Sequence, residues 1–302
     1  MNKLIIRVGR TLALCALPIG LIACLNQKSV WKGKSSNDGS HEHADGARTE
    51  NLSRQKNRIT SYSGESSCTD TSLAIVGGSQ VKNLSLIARS TGRLISTSSR
   101  CTATLIGPKH LLTAAHCLAK SGTKPVEVRF GIDPEHPSVA IPVKKWLIHP
   151  QYKLGSIVPH HDIAVLVLAT SVPQGMTPVP LAVEEELNKG TDIIIAGYGT
   201  GGEESQQGLP LSMAQVPLEK VSEEGYFLTE INGKGSCYGD SGGPGFVVDQ
   251  DTMCLSVAGV VSRASINGNG KCGQGNTMMN TTYYRNWIED SFAQLEAPLE
   301  QI

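Results

Sequence analysis

Three short segments carry the residue types of nucleophilic catalysis: Thr113-Ala114-Ala115-His116-Cys117, His161-Asp162-Ile163-Ala164-Val165-Leu166 and Gly239-Asp240-Ser241-Gly242-Gly243-Pro244. A serine hydroxyl is a weak nucleophile at neutral pH and needs a base within hydrogen-bond reach to take its proton as it attacks a carbonyl. Imidazole suits that task, because a reference pKa of about 6.5 lets it take a proton and return it to a leaving group near working pH. His116 is the candidate base for Ser241. Asp162 opens an apolar run, so its carboxylate needs a partner; accepting from the second imidazole nitrogen would fix the tautomer and stabilise the cation. The glycines around Ser241 permit a tight turn in which the N–H groups of Gly239 and Ser241 converge on a developing oxyanion, where losing one donor costs about 10²–10³ in rate. His160 and His161 adjoin Asp162 in sequence and compete for the role of base, but they sit on the loop before a strand with no cysteine to frame them.

The elements that must position these groups read as β. Short apolar or alternating runs recur between turn signals at Val126 to Phe130, Val139 to Ile148, Ile163 to Leu168, Asp192 to Ala196, Met213 to Leu218 and Ser256 to Val261. Such spacing predicts antiparallel barrels or a sandwich. Near the end, Tyr284, Ile288, Phe292 and Leu295 recur at helical spacing behind Thr281 and Thr282 as candidate caps, predicting one terminal helix. The whole chain has 302 residues with 27 basic and 27 acidic side chains, so no net charge draws it to a polyanion and nucleic acid is not an expected partner. Hydrophobic residues at 39% exclude disorder throughout.

The first segment, 1–24, reads as an export signal: Lys3, Arg7 and Arg10 precede an apolar stretch from Thr11 to Ala23 that is too short to span a bilayer of roughly 30 Å. It ends in Leu21-Ile22-Ala23-Cys24, which resembles the bacterial lipobox, where the cysteine becomes lipidated; ordinary cleavage before a mature secreted chain is the alternative. Residues 25–74 are polar and without periodicity, as expected of a tether or propeptide. His41-Glu42-His43 within it lacks the third ligand and rigid frame of a metal site. The folded domain is expected over 75–302.

With Ile75-Val76-Gly77-Gly78 at that domain's start, the three segments occur in the order His, Asp, Ser and resemble the chymotrypsin/trypsin family of serine endopeptidases from residue 75 to about 295. The resemblance implies two six-stranded antiparallel β-barrels with a C-terminal α-helix, a His116-Asp162-Ser241 triad, and an oxyanion hole at Gly239 and Ser241. It implies a zymogen cut between Ala74 and Ile75, whose new ammonium pairs with Asp240. Ser262 corresponds to the serine that supports the buried aspartate. Pairing of Cys101 with Cys117 and of Cys237 with Cys272 is likewise implied. Of eight cysteines, setting aside Cys15 and Cys24 in the signal leaves Cys68 for Cys254 by subtraction, with free thiols or an intermolecular bridge as alternatives.

Departures from the family pattern bear on substrate choice. Gly235 stands where trypsin-like members carry the aspartate of the pocket floor, so Arg/Lys specificity is not expected. Arg263 replaces the usual groove aromatic and Ala264 a common glycine. With Ser236, Tyr238 and Ser262 these residues should form the substrate pocket, and Ala264 and Asn276 should narrow it toward small or medium neutral P1 side chains. Asp133 and Glu135 lie where some relatives bind calcium, but two carboxylates supply too few oxygens, and no metal or other cofactor is expected. The expected partners are protein or peptide substrates and an activating protease, unless the enzyme cuts itself. The domain should be a monomer that meets a membrane only through a lipid on Cys24. A protease-like binding module without turnover is the rival class.

Overall fold

The computed structural model describes residues 75–82, 85–133, 135–156, 160–202, 210–249, 254–264 and 271–297. The expected signal, tether, lipidated Cys24 and Cys68 lie outside them. Thirteen strands alternate in chain order with little helix. Ser79–Gln80 (β1) and a short helix, Leu86–Ser90 (α1), lead into β2 (Thr91–Ile95), β3 (Arg100–Leu105), β4 (His110–Thr113), β5 (Glu127–Phe130), β6 (Val139–Ile148) and β7 (Ala164–Leu168). These six strands close into a barrel in the order β2-β3-β4-β7-β6-β5.

The second half repeats the architecture. Strands β8 (Asp192–Gly197), β9 (Ser212–Val221), β10 (Tyr226–Thr229), β11 (Pro244–Val248), β12 (Leu255–Ala264) and β13 (Asn276–Asn280) run in the spatial order β9-β10-β13-β12-β11-β8, and pairing of β8 with β9 closes the ring. β1 adds at the margin of β9, so the start of the domain is woven into the second barrel. Closure leaves few open edges, which matters for a protein made of short strands.

The alternating residues explain the barrels. In β5, Val128 and Phe130 are buried while Glu127 and Arg129 are half-exposed. β7 is buried at every position, because one face fills the barrel and the other is covered by the C-terminal helix α2 (Arg285–Glu296), which packs on β6 and β7. Burying one such Leu or Val contributes about 1.5–3 kcal/mol. The interior of the second barrel gathers Ile193, Ile195, Val216, Phe227, Val261 and Met278 around Ile75.

The expected helix forms, but its caps differ. Tyr284 occupies the N-cap position without a side-chain cap bond. The Thr281 hydroxyl donates instead to the Val257 carbonyl (2.6 Å), and Thr282 donates to Asn280 Oδ1 from both its N–H and its hydroxyl. Thr281 is consumed in tying the end of β13 to β12 and Thr282 in a local turn with Asn280, uses that helix periodicity does not reveal.

Candidate active site

His116 sits on a 3₁₀ turn, Ala115–Cys117, that follows β4 at the junction of the two barrels. The turn is held by the Cys101–Cys117 disulfide to β3 and by the Ser99 hydroxyl, which donates to the Cys117 carbonyl (2.6 Å). Asp162 lies two residues before β7 and is fully buried. Its Oδ1 accepts from the His116 backbone N–H (2.9 Å), and its Oδ2 pairs with His116 Nδ1 (2.8 Å) and accepts from the Ser262 hydroxyl (2.5 Å). Burial alone would push the carboxyl up, but the His116 hydrogen bond and charge, the Ser262 hydroxyl and the backbone N–H outweigh it and hold it below its ordinary value. An ionised carboxylate only accepts, so Nδ1 carries the proton and Nε2 is left as the basic nitrogen.

Ser262 reaches Asp162 because of a bulge. The β12–β13 ladder pairs Val261 with Met278 and then Arg263 with Thr277, leaving Ser262 as the extra residue. A bulge re-aims one side chain, here toward the aspartate.

The nucleophile loop belongs to the second barrel but is fastened by the first. Thr102 of β3 donates its N–H to the Ser241 carbonyl (2.8 Å) and its hydroxyl to the Gly239 carbonyl (2.9 Å). Gly242 has φ +81°, and a Cβ there would collide with Thr113 Oγ1 and the Thr102 carbonyl, so this glycine is required by both conformation and space. Among the described residues neither the Gly239 nor the Ser241 N–H is spent on a backbone acceptor. No side-chain hydrogen bond joins Ser241 to His116 there either; such a contact commonly stays long until substrate is present.

Asp240 lies directly behind. Its carboxylate accepts from the Gly199 N–H (2.8 Å) and the Cys237 N–H (2.9 Å), and burial pushes its pKa well above the ordinary range despite these donors. Its described partners include no cation. Ile75 is buried in the second barrel, and Val76 forms a bridge with Gly235 in which each N–H donates to the other's carbonyl (3.2 and 3.3 Å).

His116, Ser236, Tyr238, Ser241, Ser262, Arg263 and Ala264 line one cleft of about 360 Å³, together with the Cys237–Cys272 disulfide. Tyr238 stands at its rim, 68% exposed. Gly235, expected at the floor, is not among the residues lining this cleft; it lies next to Ser236, where a Cβ would be 3.0 Å from the Gly275 carbonyl oxygen. Asn276 does not line the cleft as a wall. It is buried, accepting from the Ser236 N–H (2.8 Å) and donating to the Thr229 hydroxyl (2.9 Å), so it braces the cleft-lining Ser236 rather than filling the opening. Cys254 is also disulfide-bonded. On the remote loop, Asp133 pairs with His136 and Glu135 with Arg93, so both carboxylates are already engaged.

The histidines beside Asp162 have a different task from the base. His161 adopts φ +56°, the one non-glycine residue with positive φ among those described, and its ring stacks on His149 at 4.5 Å and 7°. Its Nδ1 lies 3.0 Å from the Tyr284 hydroxyl, and His149 also packs against Trp287 at 4.8 Å. A left-handed backbone costs a non-glycine residue energy, though less for histidine than for a β-branched side chain, and the ring packing on His149 and Tyr284 offsets it next to the aspartate. Burial, aided by the His161 charge, pushes the His149 pKa down to about 4. The unfolded chain takes the same proton near pH 6.5, so the native state keeps this advantage above pH 6.5 and loses it as pH falls toward 4. Discounted for solvent screening, the loss should be about 1–2 kcal/mol. Denaturant unfolding of the wild type and His149→Phe at pH 7 and pH 4.5 checks this: the variant should lose less stability on acidification, and parallel losses would exclude the role.

Comparison with known proteins gives a match to the family model described as "Trypsin" over residues 75–288. Trypsin 5G1 of Aedes aegypti is 28% identical over 215 residues, covering 65% of this chain and 76% of that protein. The serine protease grass of Drosophila melanogaster is 29% identical over 233 residues, 64% of this chain and 60% of its own length. Venom serine protease Bi-VSP of Bombus ignitus is 32% identical over 174 residues, or 48% of this chain. The chain spans only 47% of that relative's length.

Proposed function

The chain belongs to the trypsin family and is a serine endopeptidase; from that premise we propose that it is exported as a zymogen and cleaves peptide bonds through an acyl-enzyme on Ser241. The observation that carries this reading is the Asp162 node, in which a buried, ionised carboxylate fixes Nδ1–H of His116 and leaves Nε2 on the cleft it shares with Ser241. In the forward step Nε2 takes the Ser241 proton as Oγ bonds to the substrate carbonyl carbon, and the oxyanion accepts from the N–H groups of Gly239 and Ser241. The imidazolium, stabilised by Asp162, then gives that proton to the leaving amine, and water repeats the sequence to release the acid. A fluorophosphonate should label Ser241 of the activated protein and no other residue. A folded, activated protein that takes no label would be a binding module.

The P1 residue should be neutral and small or medium in size. No carboxylate lines the cleft among the described residues, so a lysine or arginine would be desolvated there without a partner. The expectation of small or medium size rests on Ala264, whose methyl group lines the cleft. A P1-varied peptide library should favour Ala, Val or Leu over Lys and Arg by at least about 100-fold in kcat/KM. A basic preference would overturn the neutral assignment, and a Phe or Tyr preference the limit on size.

Export fits the disulfides, which persist in oxidising compartments. We further read Cys24 as a lipid attachment point, on the strength of Leu21-Ile22-Ala23-Cys24 alone, and Cys68 as the partner of Cys254. Activation would then leave the enzyme joined to its tether and to a membrane. Non-reducing peptide mapping of the exported protein reads both features; a reduced Cys68 or an unmodified Cys24 removes the corresponding half.

A further inference from the structure

Asp162 stands before β7 begins, yet its carboxylate must meet three donors at once: the His116 N–H, His116 Nδ1 and the Ser262 hydroxyl. The peptides on either side of it are fixed by rings from other elements. The Ile163 N–H donates to the His161 carbonyl (2.8 Å), closing a three-residue turn with Asp162 at its centre, and the Ile163 carbonyl accepts from the His149 N–H (3.1 Å). His161 enters that turn with φ +56°. Its ring stacks on His149, which directly follows β6, and its Nδ1 lies 3.0 Å from the hydroxyl of Tyr284, the N-cap residue of α2. Burial pushes the Tyr284 pKa up, so the phenol keeps its proton and donates it to Nδ1. His149 is fixed in turn, because its Nδ1 accepts from the Gln151 N–H (3.3 Å) and its ring packs on Trp287 of α2. The ends of β6 and α2 thus fasten a side chain one residue from the aspartate.

Resting on the protease reading of Ser241, we infer that His161 is a positioning residue for the reaction: its ring, anchored to His149 and Tyr284, holds the turn that aims the Asp162 carboxylate at His116. Three bonds of 2.5 to 2.9 Å leave that carboxylate little latitude. A displacement of about 1 Å in such a unit costs about 10²-fold in rate. The ionisable groups facing the ring are His149, Tyr284 and its chain neighbours His160 and Asp162, with Glu224 lying 4.0 Å from His160. Burial, aided by the His160 charge, holds the His161 pKa below its ordinary value, so above about pH 6.5 the ring is neutral and its removal takes no charge from beside Asp162.

The test compares His161→Gly, Tyr284→Phe and His161→Asn in the activated, active-site-titrated protein, at a temperature where unfolding curves show each fully folded. Glycine adopts positive φ freely but carries no ring, so its effect reports lost anchoring and not strain. It should lower kcat by about 10- to 100-fold with KM changed less than about 2-fold. It should also move the acid limb of the kcat/KM profile to lower pH, because a misaimed carboxylate stabilises the imidazolium less. Tyr284→Phe keeps its ring and loses only the hydroxyl, so the same changes should appear with a kcat loss of about 3- to 10-fold. Asparagine tolerates the left-handed backbone and offers Oδ1 to the phenol, so His161→Asn should stay within about 3-fold of wild type. A purely structural role would lower stability and leave kcat and the acid limb unmoved. That result in His161→Gly and Tyr284→Phe, a loss confined to KM, or no recovery in His161→Asn over His161→Gly overturns the inference while leaving the protease intact. If His161→Gly does not fold, Tyr284→Phe decides alone. A wild type that cleaves no peptide and takes no fluorophosphonate label overturns both.

Discussion

Ser241→Ala is expected to lower peptide hydrolysis by about 10⁶-fold, and His116→Ala by a similar factor. Each removes one end of a single proton-transfer unit: without Oγ there is no acyl-enzyme, and without the imidazole no group in the cleft can take the hydroxyl proton. The double variant should cost little more than either single one, because members of one unit are not additive. Asp162→Asn should cost about 10⁴, since a carboxamide can donate toward Nδ1 and favour the wrong tautomer. Folding should persist in the Ser241 and His116 variants. Both side chains are only half-buried, and the Cys101–Cys117 bridge holds the histidine's turn without its ring. The checks are active-site-titrated kinetics with unfolding curves. Hydrolysis within 100-fold of wild type by either single variant would show that the nucleophile or base lies elsewhere.

Cleavage between Ala74 and Ile75 is expected to raise kcat/KM by about 10²–10⁴, and Asp240→Asn to cancel that gain. The physical ground is the uncompensated carboxyl behind the nucleophile. Asp240 is fully buried, and its described partners are the N–H groups of Gly199 and Cys237, so burial raises its pKa and favours the neutral acid. An ammonium created at Ile75 would convert it to an ionised, paired group. Asp240 lies between the two oxyanion donors in sequence, so locking its side chain fixes the peptide planes on either side. Val76 already bridges Gly235, the neighbour of the cleft-lining Ser236, which brings the new terminus to the correct barrel. Kinetics of the cut protein, of a precursor made uncleavable by Ala74→Pro, and of cut Asp240→Asn measure the effect. Full activity in the uncut precursor would refute it.

Much of the chemistry was legible because it is local. His116, Asp162 and Ser241 each stand in a short segment whose neighbours report the same task, and runs such as Val139 to Ile148 carry their strand in their own alternation. Strands β2, β3 and β13 were not legible by periodicity. They place Thr91, Arg93, Thr102, Thr104 and Thr277 in buried positions, and polar residues in short runs read as loop. The bulge that turns Ser262 to Asp162 has no local signature either; it exists because β13 supplies one residue fewer than β12 between fixed pairs.

By itself, then, the sequence determined the residue types able to perform acyl transfer, their chain order, and the absence of an aspartate at position 235. The tertiary structure alone decided that Thr102 of one barrel grips the nucleophile loop of the other, that His161 is held in αL by a ring stack and is not a base, and that Asn276 braces the cleft-lining Ser236. The reason is one of range. Side-chain chemistry is a property of each residue, whereas strand register, bulges and cross-barrel hydrogen bonds depend on which distant segment closure brings alongside, and that choice is made by burying the whole chain at once.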